Sequence, residues 1–342
     1  MKGLAPRKAP GPVLRHARLR PKPAAVVAGL TLLTLGAIWA APHFARPRGQ
    51  EFSAQYEQCF ISMAPDQRFR EQKPGAPFAH EVITDADGFR TAGGPPRAAR
   101  CRLLFVGDSF TEGLFVGPDD AFPAVTEALL VARGFDVRSC NAGVRGHTIV
   151  EERNQALGRY GGLRFDTVVI AQTANDLVDL ARLEALGCPL DGEPPTSFVR
   201  GDSRIALVPS ARRELRRLGF ELTVGSAEMH ARCRQAGLRY IGVLADTLRR
   251  LRARGSAVVF ASIEPLSCAP EDAPWVDQTL MPSVALTVRT GGGTFVDATA
   301  FARAAGARLT PHDSHPSRSG HASIARTLAG ALAGVPELGR CR

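Results

Sequence analysis

The apolar run Leu103-Leu104-Phe105-Val106 passes without a spacer into Gly107-Asp108-Ser109-Phe110-Thr111-Glu112-Gly113. An uninterrupted apolar run of this length reads as a β-strand buried on both faces, since a half-buried strand would alternate with polar residues. A serine set at the end of such a strand is where a parallel α/β sheet exposes a nucleophile. Further strands are expected at 136–140, 167–171, 257–263 and 294–296. Between them, 121–133, 149–160 and 238–254 have helical character, and 317–332 closes the chain as a helix with Ser317 as its N-cap. Alternation of this kind implies an α/β domain with a mainly parallel five-stranded sheet and right-handed crossovers.

The domain is expected over residues 101–342, with a Pro-rich insertion at 179–235 that contains the basic run Arg212-Arg213-Glu214-Leu215-Arg216-Arg217. Such a run is most simply a solvated helix face. Residues 42–100 read as linker and N-terminal extension, in which Asp85-Ala86-Asp87-Gly88-Phe89-Arg90 marks a turn entering a short strand.

The formal net charge of +10 suggests a nucleic-acid partner, but its distribution argues otherwise. Residues 1–50 hold nine of the 43 Lys/Arg and no acid, which leaves 34 basic against 33 acidic side chains in the remainder. The basicity belongs to a tail, residues 1–23, that precedes an uncharged apolar run at 24–41. Eighteen helical residues rise about 27 Å, enough to cross a hydrocarbon core. The expectation is a transmembrane signal-anchor with a cytoplasmic tail and an extracytoplasmic domain. The rival is a cleaved signal peptide, against which Ile38 and Trp39 occupy positions that should be small. Seven cysteines with no CxxC pair give no zinc or redox motif, and an odd count leaves at least one thiol outside intramolecular disulfides.

Three distant stretches offer partners for Ser109. A serine hydroxyl needs a general base. His315, in Asp313-Ser314-His315-Pro316, is the candidate, with Asp313 to orient it. Gly143, in Asn141-Ala142-Gly143, lets a backbone N–H approach a developing oxyanion. Asn175, in Thr173-Ala174-Asn175-Asp176, offers a side-chain amide to the same oxyanion. Asp108, His147 and His312 are candidate substrate contacts, and His321 reads as a packing or capping histidine. No metal or cofactor is expected, because no further ligands stand at characteristic spacing around His312, Asp313 and His315.

On these motifs the chain resembles the SGNH (GDSL-type) hydrolase superfamily over residues 101–333. The resemblance implies a flavodoxin-like three-layer α/β/α sandwich and hydrolysis or transfer of ester-linked acyl groups. It also implies that Ser109 lends its backbone N–H to the oxyanion hole. The chain departs from the family twice. Thr173 stands where the family has glycine in Gly-x-Asn-Asp, and His312 stands where Asp-x-x-His-Pro has its acid. Either Asp313 supplies the carboxylate from a shifted loop, or a Ser–His dyad works with a backbone carbonyl. The ranked expectation is a serine esterase acting on an extracytoplasmic ester-bearing glycan or lipid. The alternatives are an O-acyltransferase of envelope polysaccharide and a non-catalytic envelope scaffold.

Overall fold

In a computed structural model, the described residues are 61–71, 80–93, 97–185, 188–192, 199–200, 226–268, 270–310 and 313–342. The chain divides into two units at Pro47, and all described residues belong to the second. The expected anchor at 24–41 lies outside them; among the described residues no helix is long and apolar enough to cross a membrane.

Five strands form the central sheet: β1 (Cys101–Gly107), β2 (Val137–Asn141), β3 (Thr167–Gln172), β4 (Ala257–Ser262) and β5 (Thr294–Asp297). Their spatial order is β2-β1-β3-β4-β5, and every pairing is parallel. This is the doubly wound order whose direction reverses beside the first strand, so the crevice opens at the carboxyl end of β1. β3 and β4 are buried along their whole length, which is why their sequences are apolar or small up to the closing Gln172 of β3.

Strand side chains alternate between two cores. Leu104, Val106, Val168, Ile170, Val258 and Phe260 enter one, against α3 (Ile149–Asn154), α4 (Asp176–Ala185), α5 (Ser226–Ala253) and α6 (Met281–Thr290). Leu103, Phe105, Val169, Ala171, Val259 and Ala261 enter the other, against α2 (Phe122–Val131) and α7 (Arg318–Leu332). The result is the expected three-layer α/β/α arrangement. A four-residue helix, α1 (Ser109–Glu112), follows β1 directly.

The structure narrows the expected insertion. Residues 179–185 continue α4, and 226–235 open α5, twelve residues before the expected start at 238. The helical stretch 270–290 falls between the fourth and fifth expected strands and was not expected. The basic run at 212–217 lies outside the described residues. Helix 149–160 changes character midway: α3 gives way to a π-turn over Gln155–Arg159. The extension forms an antiparallel hairpin, Arg68–Glu71 with His80–Ile83. It then docks on the edge strand, where the Arg90 N–H donates to the Asn141 carbonyl at 2.9 Å. The expected turn before it is built by Asp85, whose Oδ1 accepts from the N–H groups of Asp87 and Phe89.

Candidate active site

Ser109 sits where β1 ends and α1 begins, 8% exposed. Asp108 caps this helix, its Oδ1 accepting from the Phe110 N–H at 2.9 Å. Its Oδ2 accepts from the Thr173 hydroxyl at 2.7 Å. Asp108 is wholly buried, so it is a structural cap and not the expected substrate contact. Burial raises its carboxyl to about 6, with the Thr173 and Phe110 hydrogen bonds pulling the other way.

His315 is carried by a short strand, Asp313–Pro316, paired antiparallel with Arg308–Thr310. Its Nε2 lies 2.9 Å from Ser109 Oγ, and its Nδ1 lies 2.6 Å from Asp313 Oδ1. The His315 N–H donates to the same carboxylate oxygen at 3.0 Å. The extended backbone explains why an acid two residues before the histidine works. Side chains two apart on a strand share a face, so the carboxylate reaches the ring without a longer loop. Asp313 is 7% exposed while Ser314 between them faces out, consistent with that alternation. Of the two possible orienters, the geometry brings in Asp313. His312 lies outside the described residues.

The expected oxyanion donors stand differently. The Gly143 N–H donates to Asn141 Oδ1 at 3.0 Å, and Asn141 Nδ2 in turn donates to the Thr111 carbonyl. A Cβ on Gly143 would come within 2.2 Å of the Glu112 nitrogen, so glycine is needed for this loop to touch α1. Gly143 therefore acts here through close packing, with its N–H already held. Asn175 is exposed, and its Nδ2 donates to Asp179 Oδ2 at 2.6 Å. The Asp179 carboxylate, which can only accept, sets this pose, while Asn175 Oδ1 lies 2.9 Å from the Thr173 hydroxyl, whose proton goes to Asp108.

His147 is 2% exposed at the start of α3, 4.0 Å from Glu151, and offers substrate no surface. His321 is a capping residue. Its Nδ1 accepts from the Phe122 N–H at 3.2 Å, at the N-terminus of α2, which has no cap of its own. Among the described residues, Cys233, Cys268 and Asp272 lie close enough to share a metal ion, but the two sulfurs are joined as a disulfide.

Two features escaped the sequence reading. Arg145, after Gly143, pairs with Glu112 of the serine loop and with Glu71 of the extension. Burial works to raise the Glu71 carboxyl, but Arg145 and His80 outweigh it and hold it down to about 2. No local signal links Glu71 to residues so far along the chain; only Arg145 beside a loop glycine hints at a role. Behind Ser109, Glu152 and Asp176 are wholly buried. Burial, reinforced by neighbouring acids including Asp108, pushes both carboxyls well above the usual range.

A sequence profile of the GDSL-like lipase/acylhydrolase family matches residues 105–323, a span that contains Ser109 and His315. The chain belongs to this family. It is an ester-hydrolysing enzyme, and the family's span begins within β1 and ends within α7. A comparison with curated proteins finds no match. Similar solved structures include the psychrotrophic esterase EstA from a Pseudoalteromonas species, 10% identical with a TM-score of 0.45. That likeness covers 68% of this chain and 96% of the esterase. They also include TesA, 16% identical with a TM-score of 0.44, over 68% of this chain and 97% of the other. A catalytic mutant of the acetylxylan esterase Axe2 from Geobacillus stearothermophilus is 18% identical with a TM-score of 0.43, over 71% and 98%.

Proposed function

We propose that the protein cleaves acyl esters through a Ser109 acyl-enzyme, with His315 as base and Asp313 as its orienter. The relay of 2.9 Å from Ser109 Oγ to Nε2 and 2.6 Å from Nδ1 to Asp313 carries this reading. A carboxylate on Nδ1–H leaves Nε2 free to accept the serine proton. Ser109 Oγ then attacks the ester carbonyl, and the proton passes to Nε2. The tetrahedral oxyanion collapses, Nε2 returns the proton to the leaving alkoxide, and the acyl group stays on Ser109. Water attacks that ester with His315 again as base, releasing the carboxylic acid and restoring Ser109.

The oxyanion is met by the Ser109 N–H at the head of α1 and by the Asn175 amide, which must first leave Asp179. Gly143 is left out, because Asn141 holds its N–H. The domain acts outside the cytoplasm on an acylated carbohydrate or lipid of the envelope. The basic tail followed by the apolar run at 24–41 supports this placement. So do the Cys101–Cys341 and Cys233–Cys268 disulfides, which persist in oxidising compartments.

A fluorophosphonate probe tests the chemistry: wild type labels and Ser109→Ala does not. Folded wild-type protein that stays unlabelled would overturn it. Acetate release from p-nitrophenyl acetate, with and without an oligosaccharide acceptor, separates hydrolysis from acyl transfer. Protease accessibility of the domain in intact spheroplasts tests its placement.

A further inference from the structure

Among the described residues, two that are not glycine have left-handed backbone, Asp66 and Phe115. Asp66 is exposed, and aspartate tolerates that conformation. Phe115, at φ 67°, is a bulky residue for which it is a true outlier, and such outliers gather at functional sites. It follows the serine helix α1 closely, so what holds it and what it touches bear on the site.

The restraint comes from the N-terminal extension. Arg90 is 6% exposed, and its guanidinium donates to the carbonyls of Glu112, Gly113 and Val116. Those carbonyls bracket Leu114 and Phe115, so one buried cation fixes the loop from both sides. The Phe115 ring meets His315 edge-on, with centroids 5.7 Å apart and planes at 80°. On its other contact it meets His80 of the extension hairpin, again at 5.7 Å and at 86°. Phe110 packs against the same imidazole at 5.4 Å. His315 is thus flanked by two phenyl rings, and its side chain is 24% exposed.

The Asp313 contact fixes only one point of the imidazole, Nδ1, and a ring held at one point can still pivot. Two flanking rings remove that freedom. We infer that Phe115 is a positioning residue: with Phe110 it confines the His315 imidazole to the pose in which Nε2 meets Ser109 Oγ. The extension, through Arg90 and His80, keeps Phe115 there. The inference rests on the acyl-enzyme reading above.

Phe115→Gly suits the left-handed backbone while deleting the ring, so it separates positioning from fold maintenance. It is expected to lower kcat for p-nitrophenyl acetate by about tenfold with KM within about twofold, the scale of a lost aromatic contact and a loosened base. The melting temperature should hold or rise. Phe115→Tyr should recover wild-type kcat. Should Phe115→Gly fold poorly, Phe115→Asn tests the same point, since asparagine also accepts this backbone. Wild-type kcat in a folded Gly or Asn variant would overturn the inference. So would a Tyr variant as slow as the Gly variant. An inactive, unlabelled wild type would instead strike the acyl-enzyme reading.

Discussion

His315 shows how a motif departure is absorbed at the residue scale. The family places its acid three residues before the histidine; here it is two before, and the extended strand Asp313–Pro316 puts both on one face. Asp313→Asn should keep the contact but hold the wrong tautomer, lowering kcat for p-nitrophenyl acetate by about 10³-fold or more. Near-wild-type turnover in that variant would leave a Ser–His dyad. Thr173 makes the second departure; its hydroxyl is given to Asp108, and Asn175 is held by Asp179 instead. Since Asp179 holds the Asn175 amide, Asp179→Ala should release it for the oxyanion and leave kcat equal or higher, whereas Asn175→Ala should cost about 10²-fold or more. If kcat is unchanged in Asn175→Ala, that residue is not an oxyanion donor. Ser109 and His315 could be picked out in the sequence as candidates because their chemistry is distinctive, whereas the choice of Asp313 over a backbone carbonyl needed the 2.6 Å contact. The held N–H of Gly143 was not legible there, because a glycine reads the same whether its N–H is free or bonded.

Elements packed on the sheet exchange polar groups that no single segment reveals. The N-terminus of α2 lacks a side-chain cap from its own residues, and the buried N–H of Phe122 is met by His321 of α7. Burial, followed by the charges of Arg90 and His315, lowers the His321 pKa from 6.5 to about 3. In the unfolded chain the same group protonates near its ordinary value, so between those two pH values the unfolded state binds the extra proton. Stability from this site is therefore present above 6.5 and declines as pH falls toward 3, by about 1.4 kcal/mol per pH unit. His321→Asn keeps an acceptor for Phe122 without titrating. Its melting temperature should fall less than that of wild type between pH 6.5 and 4.5, a window above the range in which Glu71 loses its ion pairs. Equal slopes in the two proteins would show that His321 does not contribute. A helix at 317–332 and its Ser317 cap could be read in the sequence, and Ser317 does accept from the Gly320 N–H. The partner of His321 could not, since it lies 199 residues away.

At the scale of the whole molecule, the Cys101–Cys341 disulfide ties the start of β1 to the end of the chain across 240 residues. A cross-link of that span restricts the unfolded chain by roughly 5 kcal/mol on a loop-entropy account. Cys101→Ser with Cys341→Ser should lower the melting temperature by about 10 °C or more, and dithiothreitol should reproduce much of the loss in wild type. An unchanged melting temperature in the double variant would show that the bond carries no stability. Cys140 is the buried free thiol among the described residues, in keeping with an odd cysteine count. The sequence by itself determined the layer architecture, because strands buried on both faces need unbroken apolar runs and each covering helix needs an apolar stripe. It also singled out Ser109 and His315, which the fold brings to 2.9 Å, since few residue types can serve as nucleophile and base. Tertiary structure alone decided the remainder. The disulfide pairs, the Glu71–Arg145–Glu112 link, the His321 cap and the ring contacts of Phe115 join residues far apart in the chain. Their energies depend on distance and burial, which composition and spacing do not carry.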